Sequence, residues 1–138
     1  MRRINVHQMY RIVDANFNRA KEGLRVCEDI ARFVLNKRSY TAAYKRFRHR
    51  LTDIISLLKL PQLIKARDVA RDVGRPSIRM ELKRDEISDI FYANSQRVKE
   101  SVRVLEEFSK LVDVKASLKL KELRYQLYAV EQKVSSKL

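Results

Sequence analysis

The chain has 138 residues, 45% hydrophobic and 35% charged, and its 31 Lys and Arg against 17 Asp and Glu leave a net charge of +14. That length fits one domain with its own core, and the charge favours anionic partners: nucleic acid, acidic lipid or phosphorylated small molecules. A lone cysteine, Cys27, excludes an intramolecular disulfide, no apolar run approaches the roughly 20 residues of a membrane span, and MRRINVHQMYR lacks the apolar segment of a leader, so a soluble cytoplasmic protein is expected.

Two glycines and two prolines predict long helices with few turns. The first helix is expected from about Val6 to Leu35. Asn36-Lys37-Arg38 forms a short polar turn, and Ser39 can cap a second helix from Tyr40 to about Leu60, where Pro61 stops it. A connection follows from about Gln62 to Lys83, punctuated by Gly74 and Pro76. Asp85 can cap a third helix that runs to about Val112, and Asp113 or Ser117 opens a fourth that ends near Val134.

The first and third helices repeat each other. ANFNRAKEGLRVCEDIARFV (15–34) and ANSQRVKESVRVLEEFSKLV (93–112) share nine of twenty aligned residues. Both carry one polar ladder at steps of three: Asn16, Arg19, Glu22, Arg25, Glu28, and Asn94, Arg97, Glu100, Arg103, Glu106. KRFRHRL (45–51) aligns with KELRYQL (121–127), pairing Arg48 with Arg124, so the repeat unit is a helical hairpin. Short turns make the helices of each pair antiparallel neighbours. The expected fold is all-α: a four-helix bundle of two duplicated hairpins in one domain spanning 1–138. The first repeat covers about 6–60, the crossover 61–83 and the second repeat 84–136. Exchange of hairpins between chains is the alternative.

On a helical wheel of about 100° per residue, the apolar arc of the first helix includes Ile12, Ala15, Val26, Ile30, Phe33 and Val34. Asn16 and Arg19 fall inside it beside Gly23. In the third helix Asn94 and Arg97 interrupt the arc beside Ser101. Buried charges need partners. Two readings follow: a buried Arg–Glu network that sets hairpin register, or a central anion site in which Arg19 and Arg97 converge on a bound phosphate. Glu22 and Glu100 are the internal anions available, and Arg48 and Arg124 could face the same space. In the crossover, ARDVARDVGRPS gathers Arg67, Asp68, Arg71, Asp72 and Arg75. This is either a charged linker or a metal–phosphate segment, since carboxylates suit Mg²⁺ and arginines suit phosphate. His49 reads as a helix-surface histidine and His7 as inert. Tyr128, beside Arg124, packs at the core edge or stacks on a flat ring. There is no zinc spacing, nucleophile constellation or glycine-rich phosphate loop.

DANFNRAKEGLRVCEDIARFVL, Arg48-His49 with Leu51, RDVARDVG, YANSQRVKESVRVLEEFSKL and LRYQLYAVE together resemble a small helical family of thiamine biosynthesis. It is the monofunctional hydroxymethylpyrimidine-phosphate kinase domain, often fused ahead of a thiamine-phosphate synthase barrel. The resemblance spans nearly the whole chain. It implies transfer of the ATP γ-phosphoryl group to 4-amino-5-hydroxymethyl-2-methylpyrimidine phosphate, with ATP and Mg²⁺ as cofactors. The chain ends near residue 138 with no barrel, so the synthase step would fall to a separate partner. In that setting Arg19, Arg97, Arg48 and Arg124 are expected to carry catalysis by holding phosphates. Asn16, Asn94, Glu22, Glu100, His49, Arg67 and Tyr128 are expected to bind or orient substrate, and Asp68 and Asp72 to carry Mg²⁺. Loss of either Arg19 or Arg97 is expected to abolish turnover. A homodimer is expected, and no membrane contact. The rivals are a nucleic-acid-binding helical bundle, for which no recognition signature is present, and a regulatory or structural dimer.

Overall fold

A computed structural model describes residues 1–138 and is entirely helical. Four long helices, α1 (Val6–Asp29), α2 (Arg38–Ser56), α4 (Ile87–Ser109) and α5 (Val114–Ser135), form the body, and α3 (Arg79–Leu82) is a single turn in the crossover. α1 packs on α2 and α4, and α5 packs on α2 and α4, which closes a four-membered ring around one apolar core. No helix is long and apolar enough to cross a membrane.

The helix ends follow local chemistry. Asn5 Oδ1 accepts from the Gln8 N–H at 2.8 Å, and Gln8 Oε1 accepts from the Asn5 N–H at 3.0 Å. This reciprocal box satisfies donors that the first turn of α1 would otherwise leave open. After Asp29 the coil widens into a π-helical turn, Ile30–Val34, and left-handed Asn36 (φ 52°) ends it. α2 is capped differently from expectation: Lys37 holds the cap position with no side-chain bond, and Ser39 lies inside the helix. It also stops at Ser56, short of Leu60, and Lys59 turns left-handed (φ 51°) ahead of Pro61. At the start of α4 the expected capper Asp85 is itself capped. The Asp89 carboxylate reaches back to the N–H groups of Asp85 and Glu86 at 3.0 Å each, which holds its pKa below the usual carboxylate range. Asp113 caps α5 as expected, accepting from the Lys115 N–H at 2.9 Å. Ser117 instead donates to the Glu106 carbonyl.

The two repeated helices meet closely at Gly23. A Cβ placed there would lie 2.6 Å from Val98 Cγ2 and 3.0 Å from the Asn94 carbonyl oxygen. In an open helix Gly→Ala stabilises by about 1 kcal/mol, whereas overpacking a filled interface costs about 1–3 kcal/mol. The neighbours here are a stiff β-branched side chain and backbone, so the second effect wins. Gly23→Ala is expected to lower the urea midpoint at unchanged slope; a raised midpoint would mean that α1 and α4 are further apart.

Cys27 is fully buried at this level of the core. Burial, with the Glu131 carboxylate adding to it, pushes its thiol up to about 12, so it is a small apolar filler rather than a nucleophile.

Candidate functional site

The polar ladder divides into two parts with different work. Its last rungs are buried ties inside each hairpin. Arg48 donates from Nε and Nη2 to Glu28 at 2.7 and 3.3 Å, and Arg124 donates from the same atoms to Glu106 at 2.8 and 3.4 Å. Glu28 and Glu106 hold equivalent places in the repeats, as do Arg48 and Arg124. The second pair is extended: Arg124 Nη1 donates to Tyr128 Oη at 3.0 Å. These contacts raise the Arg124 pKa further above its ordinary value, the Glu106 bond contributing most. Arg48, Arg124 and Tyr128 are therefore bonded within their own hairpins. The register-setting network weighed from sequence exists, with Glu28 and Glu106 as its anions in place of Glu22 and Glu100.

The expectation that Arg19 and Arg97 point inward is corrected: both are exposed. Their neighbours Ala20 and Val98 are buried at 0% and 2% exposure, and one residue step turns a helix by about 100°, enough to carry each arginine out of the core. The apolar arc read from sequence was wider than the buried one. Phe33 and Val34, counted as its members, are 64% and 51% exposed, because they lie in the π-helical turn where 100° per residue no longer holds; the buried arc includes Val13, Ala20, Leu24 and Cys27. Asn16 and Asn94 do the same thing in both repeats, each donating Nδ2 to the carbonyl four residues back at 2.8 Å. Glu100 accepts from Gln96 and Glu22 makes no ion pair with Arg19, so neither orients its arginine as expected.

What remains is a groove of about 750 Å³ between α1 and the crossover. It joins six of the residues singled out from sequence: Asn16, Arg19 and Glu22 from α1 with Arg67, Asp68 and Asp72 from the crossover. Asn94, Arg97 and Glu100 do not line it, nor do Arg48, Arg124 or Tyr128. His49 lines a separate groove between α2 and α5, beside Lys45, Arg46 and Arg50. The groove is thus built from the first repeat and the crossover, with no residue of the second repeat.

Local structure explains how the crossover reaches α1. A 3-10 turn, Leu63–Ala66, follows left-handed Gln62 (φ 59°) and buries Ala66 against the bundle. Arg67 then leaves in extended conformation and meets Asp14, donating from Nε to Oδ2 at 2.8 Å and from Nη2 to Oδ1 at 2.9 Å. Hydrogen bonding to Asp14, ahead of simple attraction to it, raises the Arg67 pKa. Further along, Asp68 Oδ1 accepts from the Arg71 N–H at 3.1 Å and Asp72 Oδ1 from the Gly74 N–H at 2.9 Å.

No group of three His, Cys, Asp or Glu stands close enough together to hold a metal by protein ligands alone. Mg²⁺ commonly takes one or two carboxylates and completes its shell with water and substrate phosphates. Asp68 and Asp72 on the groove wall fit that limited demand.

Sequence reasoning missed Arg11 and Asp14, which also line the groove. Asp14 falls one residue before the aligned block, and its counterpart in the second repeat is Tyr92. The signal available was where the copies part, not where they agree.

A family model described as the ThiD2 family matches residues 11–133. The chain belongs to the ThiD2 family. A protein of Nostoc punctiforme named thiamine-phosphate synthase is 40% identical over 124 residues, 89% of this chain and 34% of that protein. Synthases so named from Rhodopirellula baltica (38% over 129 residues, 93% of this chain, 34% of the relative) and Prochlorococcus marinus (40% over 125 residues, 90% and 34%) match likewise. This ThiD2 chain spans about a third of the length of these relatives, and their shared name is that of a synthase rather than a kinase. The resemblance to a domain fused to such synthases is in keeping with this partial coverage. No solved structure matches the chain.

Proposed function

We propose that this ThiD2 protein acts in thiamine biosynthesis as a kinase, transferring the γ-phosphoryl group of Mg-ATP to 4-amino-5-hydroxymethyl-2-methylpyrimidine phosphate. The observation that carries the reading is the composition of the α1–crossover groove. Arg11, Arg19 and Arg67 face it together with Asp68 and Asp72, and no histidine or cysteine is among its lining residues. A phosphate acceptor has a second pKa of about 6 and is already largely anionic near neutrality. Its oxygen needs no strong base; it needs charge neutralisation and alignment. Arg67, fixed on Asp14, and Arg19, loosely held by Asn16 Oδ1 at 3.4 Å, supply guanidinium donors for phosphate oxygens. The remaining amide face of the groove, Asn18 and Gln8, offers donors and acceptors to an aminopyrimidine edge. Asp68 and Asp72 would hold an Mg²⁺ arriving with the nucleotide, which would supply charge neutralisation at the transferring phosphate. A thiamine-phosphate synthase would consume the product.

The test is turnover by the purified chain with Mg-ATP and the pyrimidine monophosphate, followed by phosphorus NMR for a new diphosphate. Appearance of the diphosphate is expected. No product, with thiamine phosphate formed instead from the pyrimidine diphosphate and a thiazole phosphate, would replace this reading with the relatives' named activity.

A further inference from the structure

The Asp14–Arg67 pair differs from the two arginine–glutamate ties that the hairpins share. Glu28–Arg48 and Glu106–Arg124 occur once in each repeat, as register devices should. Asp14–Arg67 occurs once in the chain: Tyr92, 62% exposed, stands where a second Asp14 would be, and the crossover that carries Arg67 has no copy. Asp14 is 6% exposed, and burying a carboxylate is costly unless its lone pairs are taken up. Here three N–H donors do so: Arg67 Nε and Nη2, and Asn18 Nδ2 at 3.2 Å. The pair is therefore rigid at the Asp14 end.

The Arg67 end is open. A guanidinium has five N–H donors in a fixed plane. Asp14 takes two of them along the Nε–Nη2 edge, and nothing in the protein accepts from the other three, which include both N–H groups of Nη1. The side chain is 41% exposed and lines the groove. The Nη1–Nη2 edge is thus a second, unoccupied fork, and such a fork matches two oxygens of a phosphate.

We infer that Asp14 is the positioning residue of this groove: it clamps one edge of Arg67 so that the other edge is presented, already oriented, to a substrate phosphate. The inference rests on the kinase reading of the groove. A mere tether for the crossover would need the pair but not the free edge, and the two roles separate experimentally.

The experiment is a double-mutant cycle of Asp14→Asn and Arg67→Ala in the full chain, with Arg67→Lys as a variant that keeps the charge and loses the fork. kcat/KM is read well below each variant's melting temperature. Asp14→Asn is expected to lower kcat/KM about 10–100-fold, since misplacement on the ångström scale costs about that much. Arg67→Lys should lose at least about 10-fold. In the Arg67→Ala background, Asp14→Asn should cost nothing further, because its effect passes through the arginine. Wild-type kcat/KM in Asp14→Asn or Arg67→Lys, whatever the melting temperature, would overturn the inference and leave a tether. Should the wild-type chain itself show no kinase turnover, the kinase reading falls first, and calorimetric titration with inorganic pyrophosphate decides the rest. Binding that weakens about tenfold in both Asp14→Asn and Arg67→Lys sustains the fork; no binding, or equal binding in all variants, removes it.

Discussion

Arg124→Ala is expected to be among the most destabilising single changes in this protein, costing about 3–5 kcal/mol. It would leave Glu106, 3% exposed by side chain, with only half-exposed Arg103 at 3.5 Å as a counter-charge, and would remove the Arg124 bond to the Tyr128 hydroxyl. For a domain of this size the loss corresponds to a fall in Tm of roughly 10–20 °C. Glu106→Ala should cost less. Arg124 lies against Tyr128, which is 39% exposed, and a long arginine can move its head toward water. Replacing the pair together by Met and Leu should recover most of the loss, because well-packed apolar substitutes for a buried ion pair are often neutral or better. As a control, Lys110→Ala, which breaks a surface pair with Glu107 at 2.8 Å, should cost under about 1 kcal/mol. Urea melts of the four variants check this. Equal costs for Arg124→Ala and Lys110→Ala would show that the Glu106 site is solvated and that hairpin register has another source.

The second large effect concerns activity and breaks the symmetry that the repeat suggests. Arg19→Ala is expected to lower kcat/KM at least about 10²-fold, the usual scale for losing one charged donor at a transferring group. Tm should hold within a few degrees, since Arg19 is exposed and makes one 3.4 Å contact. Arg97→Ala is expected to stay within about threefold of wild type, because Arg97 is exposed and lines neither groove. The ladder read as two equal half-sites implies equal losses instead. Equal, severe losses in both variants would mean that the site spans the two repeats and that the α1–crossover groove is not where the chemistry occurs.

Much of this was legible in the residues. The duplicated block, with its periodic apolar positions and short turns, gave an all-helical ring of two hairpins, and the Arg48/Arg124 alignment gave partners that do hold equivalent places. Glu28 and Glu106 were legible as rungs but not as the buried ones. A wheel ranks positions by composition, and α1 carries more apolar side chains than its buried face can take. Half-buried Ile12 and Val26 straddle Arg19 on the wheel and brought it into the inferred arc. Helix ends misread in the same local way: Ser39 and Asp85 have the right chemistry for caps, but Lys37 and Glu86 hold the cap positions, with Asp89 reaching back from the first turn of α4.

By itself the sequence determined the helices, their pairing and the two-fold repetition, because these depend on neighbours within a few residues or on self-similarity. The tertiary structure alone decided that the crossover lies along the first repeat, that Ala66 is buried there, and that Arg67 meets Asp14 across 53 positions of chain. A contact so distant leaves no periodic trace, since its register is set by where a 3-10 turn packs against α1. Duplication supplied two equal scaffolds, and the single crossover, able to lie on only one of them, made one of the two a candidate site.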